Sequence, residues 1–573
     1  MDFTRIFDLI DFHLGRHPDE GGLYELTAPE HWDKTTISNL AENIKAHRAL
    51  LLSQGLVKGD RIGILFRHAT AGLLALDLAA MTEGIVPILI HDLTPESDMR
   101  FISADARLRC IFHTFHSDLL AMVSVPHYQI PSVAELDKYR GMPLFDATIV
   151  PEDLATIVYT SGSSGLPKGV MLSHQNIVSN LKSIVASVPV RRGQRTLSFL
   201  PLAHIFERVV VWSYLIYGCH IYFLPDPKEV LLHIKTIRPH YFTAVPRLLE
   251  RFYETLLARR KAERGITKKL LNMALRIGEK YGPDQSKTIA YYFKRIIIHV
   301  LVYRVWRKML GGEVKGVIVG GSALRAGIAR LFSAAGIPIR EGYGMTETSP
   351  VISLNRFEPG QFRFGTAGIP LPGVEVKIDQ PDDQGLGQIL VKGPNVMLGY
   401  TNPILNAEVF TTDGWLKTGD LGKWVDKKFL AVTDRVSQVF KTSSGKFVYP
   451  ARITSLLERH PLVEFSCVEG FQKPYIIAIL KPDFQRLEEW CHQHEVHWTA
   501  PLYMVHNLKV VQAYQSIVDE ANTQLASHEM IRKFLLVADE WHVQSGDLSA
   551  IHKPRRKIIL EKYQLELNKL YQL

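Results

Sequence analysis

The chain has 573 residues, of which 46% are hydrophobic and 22% are charged. At about 100 to 200 residues per domain this length predicts several packed units, and the composition is that of a globular protein, which excludes disordered and fibrous classes. The net charge is +9 and is unevenly spread, because fifteen Lys and Arg against four Asp and Glu lie between Arg251 and Leu310.

The N-terminal segment and the cysteines predict a cytoplasmic protein. Aspartates stand in the first eleven residues, where a secretory signal needs a basic flank and an unbroken apolar run. The most apolar window, residues 71–90, contains Asp77 and Glu83, so we expect no membrane-spanning helix there. The four cysteines are widely spaced, which makes a disulfide framework unexpected.

Residues 38–146 show apolar runs, such as RIGILF and IVPILI, that alternate with helix-like stretches such as NLAENIKAHRALLLSQG. This pattern predicts parallel strands covered by helices. We expect the order strand, glycine-rich turn and helix to recur twice. It is expected at DLATIVYT followed by GVMLSHQNIVSNLKSIVASV, and at VKGVIVGGSA followed by LRAGIARLFSAAG.

The string TIVYTSGSSGLPKGVMLSH, which starts at Thr156, carries the strongest chemical signal. Glycines allow the backbone N–H groups to turn inward, hydroxyls add donors and Lys168 supplies a point charge, which together favour a polyphosphate cradle. Lys168 stands between Pro167 and Gly169, whereas a Walker loop places its lysine after glycine and before Ser or Thr. P-loop kinases and ATPases are therefore disfavoured. The candidate nucleotide-binding residues here are Thr160, Ser161, Gly162, Ser163, Ser164, Gly165 and Lys168.

The basic segment from Arg251 to Leu310 has two interpretations. It is either a solvated helical face or a patch that attracts anionic lipid. Within it, basic residues flank an apolar run in KRIIIHVLVYRVWRK, which suits an interfacial helix or a helix buried on one face with a basic rim. We expect burial of the apolar part and peripheral association with an anionic membrane surface. No zinc-finger, RRM or KH pattern supports nucleic acid as a partner.

From residue 369 to 400 the pattern changes to short, alternating segments separated by Gly and Pro, which predicts a β-rich subdomain. After Asp434 we predict a strand at KFVYP, a helix at ARITSLLERH, strands at CVEGF and YIIAILKP, and then helices to the end. The predicted fold is therefore α/β: a large N-terminal domain of doubly wound sheets with a β-rich subdomain (1–433), and a small mobile α+β C-terminal domain (434–573).

Four motifs occur in a characteristic order: the TSGSSGLPKG string, EGYGMTETSP from Glu341, KTGDLGKW from Lys417 and DRVSQVFKTSSGKFVYP from Asp434. Together they resemble the adenylate-forming (AMP-binding) superfamily of acyl-CoA synthetases, peptide-synthetase adenylation domains and luciferases. Four stretches resemble long-chain fatty acid CoA ligases in particular: LPLAHIFERVVV, VPRLLERFYE, KFVYPARITSLLERHPLVE and KPRRKIILEKY.

This resemblance implies a role for individual residues of the nucleotide site. Tyr343 would face the adenine, Thr346 would contact phosphate and Glu347 would hold Mg²⁺, which prefers hard oxygen ligands. Asp420 would accept hydrogen bonds from the ribose hydroxyls, and Arg435 would make a second ribose and phosphate contact.

The resemblance also implies residues for the acyl site and for the two half-reactions. His204 and Gly321 match stretches near the acyl site, although a packing histidine and an ordinary turn remain alternatives. Lys553 resembles the mobile lysine of adenylation, and its basic neighbours Arg555, Arg556 and Lys557 are alternative matches to that position. Lys441 matches the lysine of the second conformation.

The region after Arg435 departs from the family pattern. Long-chain ligases usually carry two charged residues after the hinge arginine and a Gly-Gly pair before the next lysine. Here Val436 and Ser437 follow Arg435, and Ser444 replaces the first glycine of that pair. We therefore expect normal adenylation with a weak or atypical thioester step.

The implied activity is the ATP-dependent activation of a long-chain fatty acid to acyl-AMP with release of pyrophosphate, followed by transfer to CoA. ATP, Mg²⁺ and CoA are the implied cofactors and co-substrates. One alternative is a fatty acyl-adenylate ligase that transfers the acyl group to an acyl carrier protein. A second is a non-catalytic adenylate-binding or membrane-associated regulator, against which the retained Lys168, Glu347, Asp420 and Lys553 argue.

Overall fold

The computed structural model describes residues 3–16, 20–28, 30–132, 134–139, 148–161, 166–282, 288–436, 438–443, 446–542, 545–548 and 554–572. It divides into two compact units. The first comprises Met1–Lys377, Leu390–Thr418 and Trp424–Ala431, and the second comprises Ile378–Ile389, Gly419–Lys423 and Val432–Leu573. The domain boundary at Asp434 stays a prediction.

The strands, in chain order, are β1 (Gly22–Ala28), β2 (His31–Thr35), β3 (Arg61–Phe66), β4 (Val86–His91), β5 (Cys110–His113), β6 (His127–Gln129), β7 (Leu154–Ser161), β8 (Pro167–Ser173), β9 (Arg195–Ser198), β10 (His220–Phe223), β11 (Tyr241–Ala244), β12 (Gly316–Val319), β13 (Ile339–Gly344), β14 (Val351–Leu354), β15 (Ile369–Pro370), β16 (Glu375–Asp379), β17 (Gly387–Lys392), β18 (Gly399–Tyr400), β19 (Leu416–Val425), β20 (Phe429–Arg435), β21 (Phe440–Lys441), β22 (Phe447–Val448), β23 (Val463–Glu469), β24 (Ile476–Pro482) and β25 (Ile531–Leu536).

The helices, in chain order, are α1 (Asp8–Arg16), α2 (Ile37–Ser53), α3 (Ala71–Thr82), α4 (Glu96–Asp105), α5 (His174–Ser187), α6 (Ile205–Tyr217), α7 (Val230–Ile237), α8 (Pro246–Ala262), α9 (Gly265–Glu279), α10 (Ile289–Ile298), α11 (Arg304–Met309), α12 (Ala326–Ala334), α13 (Pro403–Val409), α14 (Pro450–Leu457), α15 (Phe484–Gln493), α16 (Pro501–Met504), α17 (Leu508–Asn522), α18 (Arg556–Lys562) and α19 (Gln564–Tyr571). A π-helical turn, His299–Tyr303, joins α10 to α11.

The first unit contains two large sheets. One has nine strands in the order β15-β14-β13-β12-β11-β9-β10-β1-β2. Its central pairs are parallel, and its outermost pairs are antiparallel. The other has the order β4-β3-β5-β6 and is wholly parallel. Parallel strands bury both faces and need helices to cover them, so the predicted α/β fold is confirmed.

A buried ion pair joins two helices of the first unit and orients the strand that leads into the TSGSSG string. Arg208 Nη2 on α6 lies 2.5 Å from Asp77 Oδ1 on α3. Arg208 Nη1 also donates to Thr156 Oγ1 on β7 at 2.9 Å, and this hydroxyl donates to the Pro87 carbonyl at 2.6 Å. A buried charge must be paired, so the network holds β7 in place between α6 and β4.

The predicted start of the helix after the TSGSSG string is wrong. The residues GVMLS belong to β8, which pairs antiparallel with β7 and brings Thr160 opposite Lys168. The helix begins only at His174, where the Ser173 side chain caps the first turn. A short apolar run fits a strand as well as a helix, and here the pairing with β7 decides. The second expected strand, turn and helix are confirmed as β12 and α12.

The short strands expected after residue 369 are present as β15 to β18, and a four-stranded sheet has the order β16-β17-β19-β20. The second unit contains a three-stranded sheet, β23-β24-β25, in which β24 is antiparallel to β23 and parallel to β25. The expectation of helices alone after β24 is wrong, because β25 forms the third strand. Along the described residues, none of the helices combines the length and apolarity that crossing a membrane requires.

Candidate functional site

The TSGSSG string connects β7 to β8, and these two strands pair as a hairpin. Thr160 and Lys168 are opposite each other across the hairpin, so both flank the same loop. The Lys168 Nζ lies 5.4 Å from the centroid of the Tyr400 ring. Gly162, Ser163, Ser164 and Gly165, together with the Ser161 side chain, lie outside the described residues.

A third strand, β18, attaches the hairpin to Glu347. β18 pairs antiparallel with β8, and the Thr401 N–H donates to the Gly169 carbonyl at 2.8 Å. The Met397 N–H donates to the Glu347 carbonyl at 2.9 Å. The segment 397–401 therefore connects the lysine strand with the turn that carries Glu347.

The Tyr400 hydroxyl donates a 2.7 Å hydrogen bond to Glu347 Oε1. Tyr400 is 4% exposed and Glu347 is 7% exposed. Burial raises the pKa of Tyr400, and the neighbouring carboxylate raises it further, so the phenol stays protonated and donates. The sequence analysis missed Tyr400, whose signal is a tyrosine that follows glycine at the end of the β-rich segment.

Glu347 has the chemistry of a magnesium ligand. It lies in a 3-10 turn, Thr346–Thr348, and its carboxylate is held by Tyr400 in a fixed orientation. Among the described residues no group of three or more His, Cys, Asp or Glu could hold a metal ion together. Mg²⁺ commonly uses one or two protein carboxylates and takes its remaining ligands from water and phosphate. The single carboxylate therefore fits Mg²⁺ bound together with a nucleotide.

Tyr343 lies on β13 opposite Ser353 of β14 and is partly exposed. The glycine after it is required by packing, since a Cβ at Gly344 would lie 1.9 Å from the Pro350 carbonyl oxygen. At the start of the same motif, Glu341 is buried and accepts a 3.2 Å hydrogen bond from the Leu324 N–H. Burial raises the pKa of Glu341 to about 7.

The two candidate acyl-site stretches lie side by side. His204 immediately precedes α6, and the Phe206 ring lies 3.2 Å from the position that a Cβ on Gly320 would occupy. Gly321 has φ +80°, a left-handed conformation that favours glycine in the turn after β12. Burial lowers the pKa of His204, and the charge of His91 lowers it further. The neutral imidazole therefore suits an apolar site.

Glu207 holds the first turn of α6 in place. The sequence analysis did not identify this residue. It is fully buried and accepts hydrogen bonds from the Ser198 hydroxyl at 2.6 Å and the Thr243 hydroxyl at 3.2 Å. Burial raises its pKa to about 7, although both hydroxyls lower it. The carboxyl group connects α6 to β9 and β11 and so positions His204.

The second unit brings Asp420 and Arg435 together. Arg435 Nε donates to Asp420 Oδ1 at 3.1 Å, with Arg435 67% exposed and Asp420 9% exposed at their side chains. The preceding Asp434 is buried and accepts from the N–H groups of Arg435 at 2.7 Å and Ala451 at 3.0 Å. Asp434 therefore connects the end of β20 to the first turn of α14.

The second unit contains both candidate lysines, Lys441 and Lys553. Lys441 is exposed on β21, with its Nζ 4.7 Å from the centroid of the Phe447 ring. Lys553 lies outside the described residues, as do Ser437 and Ser444. Among the basic residues after Lys553, Arg556 donates to the Val468 carbonyl at 3.0 Å and lies 4.9 Å from the Phe440 ring. Arg556 therefore serves the packing of this unit.

Comparisons with known proteins identify the family. The AMP-binding enzyme profile matches residues 13–401, and the AMP-binding enzyme C-terminal domain profile matches residues 438–573. Long-chain-fatty-acid–CoA ligase FadD15 of Mycobacterium bovis is 29% identical over 571 residues, which span 94% of this chain and 92% of the relative. Peroxisomal long chain acyl-CoA synthetase 6 of Arabidopsis thaliana is 27% identical over 91% of this chain and 79% of its own.

The fold is also similar to a solved structure. O-succinylbenzoate CoA synthetase (MenE) from Bacillus subtilis, in complex with its acyl-adenylate intermediate, has a TM-score of 0.71 at 22% identity over 96% of this chain and 97% of its own. The chain therefore belongs to the AMP-binding enzyme family, the adenylate-forming superfamily, close to the long-chain acyl-CoA synthetases.

Proposed function

We propose that the protein activates a long-chain fatty acid with ATP, giving acyl-AMP and pyrophosphate, and then transfers the acyl group to CoA. The observation that carries this proposal is the cluster of Lys168, Tyr400 and Glu347 beside the TSGSSG hairpin. It combines a cation for phosphate with an oriented carboxylate, which is the chemistry that phosphate activation requires.

In this proposal the first unit binds the polyphosphate. Lys168 provides positive charge where negative charge develops on phosphate, and Thr346 offers a hydroxyl donor. Tyr400 holds the Glu347 carboxylate, which would bind Mg²⁺. When bound, Mg²⁺ neutralises phosphate charge and orients the phosphate oxygens. The partly exposed ring of Tyr343 would stack on adenine.

Residues of the second unit would act on ribose and on the reacting groups. Asp420 would accept hydrogen bonds from the ribose hydroxyls, oriented by Arg435 at 3.1 Å. Lys553 would pair with the substrate carboxylate and the α-phosphate during in-line attack, and Lys441 would serve the thioester step. In this proposal the C-terminal domain, residues 434–573, would move about the hinge after adenylation, so that Lys441 would replace Lys553 for the second half-reaction.

The acyl chain would lie near His204 and the Gly320–Gly321 turn. The Phe206 ring against this turn gives the region an apolar wall, and a neutral His204 avoids a buried charge. The two curated relatives named above are long-chain fatty acid enzymes, which supports this substrate class, whereas MenE carries a different acyl group. We propose a cytoplasmic location.

ATP–pyrophosphate exchange tests the first step. We expect exchange with long-chain fatty acids and none above background with o-succinylbenzoate. The thioester product is then assayed with CoA and, separately, with a phosphopantetheine-bearing acyl carrier protein. If the acyl group is transferred only to the carrier protein, the acceptor is the carrier protein and not CoA. If no acid supports pyrophosphate exchange, the proposal is refuted.

A further inference from the structure

One surface of the first unit is unusually apolar and open to solvent. Large hydrophobic side chains that are 39% to 89% exposed follow one another along α10, the π-helical turn and the start of α11. We call this surface the outer face. It consists of Ile289, Tyr292, Phe293, Ile296, Ile297, Val300, Leu301 and Val305. The three-and-four spacing of these residues is that of one continuous helical stripe.

The outer face is not needed to hold these helices on the protein. Their opposite side carries Ile298, Val302, Tyr303 and Trp306, all of them buried in the core of the first unit. The Tyr303 hydroxyl also donates to the Ala274 carbonyl of α9 at 2.7 Å. The expected burial of the apolar run is therefore correct for one side only. A second apolar stripe that faces solvent marks an interaction surface.

A basic cleft adjoins this surface at its C-terminal end. The cleft has a volume of about 430 Å³ and is lined by five cationic residues and two glycines: Lys235, Arg238, Arg304, Arg307, Lys308, Gly311 and Gly312. Three of the cations come from α11, the helix that continues the outer face. Arg238 pairs with Glu313 at 2.6 Å, and among the described residues that line the cleft none carries a carboxylate.

We propose that the outer face and the basic cleft bind an anionic membrane surface. The apolar side chains would enter the acyl-chain region of one leaflet, and the cleft would accept a lipid phosphate. An amphipathic helix with cations beside its apolar stripe has the composition that binds in the membrane interface. A symmetric contact between two copies through this face would oppose the two sets of cations, so charge favours lipid over a second copy.

Membrane binding would bring the enzyme to a poorly soluble substrate, and this consequence alone depends on the proposed function. The binding itself does not, because it requires neither ATP nor fatty acid. Vesicle cosedimentation of the full-length chain without substrates therefore tests it separately. The vesicles are phosphatidylcholine alone and an equimolar mixture of phosphatidylcholine and phosphatidylglycerol. We expect binding to the mixed vesicles that weakens as salt rises.

Two variants separate the contributions of the outer face and the cleft. Phe293→Ser with Ile296→Ser removes apolar insertion, and Arg304→Glu with Lys308→Glu reverses charge at the cleft. Each is expected to weaken binding to mixed vesicles by about tenfold or more.

Matched controls lie on the second unit. Leu508→Ser with Leu565→Ser removes side chains that are 79% and 75% exposed, and Lys509→Glu with Arg532→Glu reverses two exposed charges. Both controls should bind like the wild type. Every variant should keep the wild-type circular dichroism spectrum and a cooperative melting transition, which shows that the fold is intact.

Five results would overturn the proposal. Four come from the vesicle assay: equal binding to neutral and anionic vesicles, no binding at low salt, variants that bind like their controls, and release by inorganic phosphate at an ionic strength where chloride has no effect. The last result would assign the cleft to a soluble anion. A dimer in light scattering that Phe293→Ser with Ile296→Ser dissociates would assign the outer face to a second copy.

Discussion

The Tyr400 hydroxyl donates a 2.7 Å hydrogen bond to Glu347 Oε1, and both side chains are buried. The same tyrosine ring lies 5.4 Å from the Lys168 Nζ. One side chain therefore contacts both charged groups that we assign to phosphate and Mg²⁺. Because β18 pairs with β8, the backbone places Tyr400 beside the strand that carries Lys168.

Tyr400→Phe should weaken the magnesium site. The variant removes a hydrogen bond to a charged group, worth about 1.5 to 3 kcal/mol, and leaves the buried carboxylate without that donor. We expect pyrophosphate exchange to need a higher Mg²⁺ concentration and to slow by about tenfold or more.

Tyr563→Phe is the matched control for Tyr400→Phe, because its hydroxyl also donates to a carboxylate, that of Asp539, at 2.8 Å in the second unit. It should lower the melting temperature without a change in Mg²⁺ dependence. If Tyr400→Phe and Tyr563→Phe require the same Mg²⁺ concentration for pyrophosphate exchange, Tyr400 contributes to packing and not to the magnesium site.

Lys553→Ala and Lys441→Ala should separate the two half-reactions. Lys553 would have to meet both the attacking carboxylate and the α-phosphate, so Lys553→Ala should reduce pyrophosphate exchange by at least about a hundredfold. It should leave thioester formation from supplied acyl adenylate largely intact. Lys441→Ala should have the opposite pattern. Equal losses in both assays for either variant would show that its lysine is structural or wrongly aligned with the motif.

Ser444→Gly should increase CoA-dependent turnover. Ser444 occupies the place where long-chain ligases usually carry the first glycine of a pair, and even a small side chain can obstruct a closely passing pantetheine arm. Pyrophosphate exchange should be unchanged, since adenylation does not use this passage. If the wild-type thioester rate already matches the adenylation rate and Ser444→Gly changes neither, serine is simply tolerated there.

Glu207 should make the stability of the first unit depend on pH. Its folded-state pKa of about 7 lies above the ordinary glutamate pKa of 4.5, because burial favours the protonated form. Its contribution is therefore fully present below the unfolded-state pKa and is lost as pH rises through the folded-state pKa. The full effect is about 3 kcal/mol.

Glu207→Gln keeps the shape of this side chain and removes its titration. Between pH 5 and 8, roughly the interval spanned by these two pKa values, the wild type should lose stability relative to Glu207→Gln. Melting temperatures of both proteins across this range provide the measurement. Parallel curves would show that Glu207 does not titrate in the folded protein.

The sequence by itself determined the class of fold and the order of the motifs. The buried runs RIGILF and IVPILI became β3 and β4, and NLAENIKAHRALLLSQG became α2 with little change. Such elements are predictable because their periodicity is local and their apolar residues face one core. The residues of the nucleotide motifs could be proposed from the sequence, since each motif is a contiguous string, and their roles stay predictions.

Only the tertiary structure decided the contacts between distant strings and the direction of each apolar face. GVMLS is a strand because β7 pairs with it, and Tyr400 reaches Glu347 because β18 joins the same sheet more than two hundred residues later in the chain. The apolar run from Ile289 to Val305 could not reveal that one side would be buried and the other exposed. The sequence shows that a helix is hydrophobic. Which side of that helix is buried depends on which neighbouring elements pack against it.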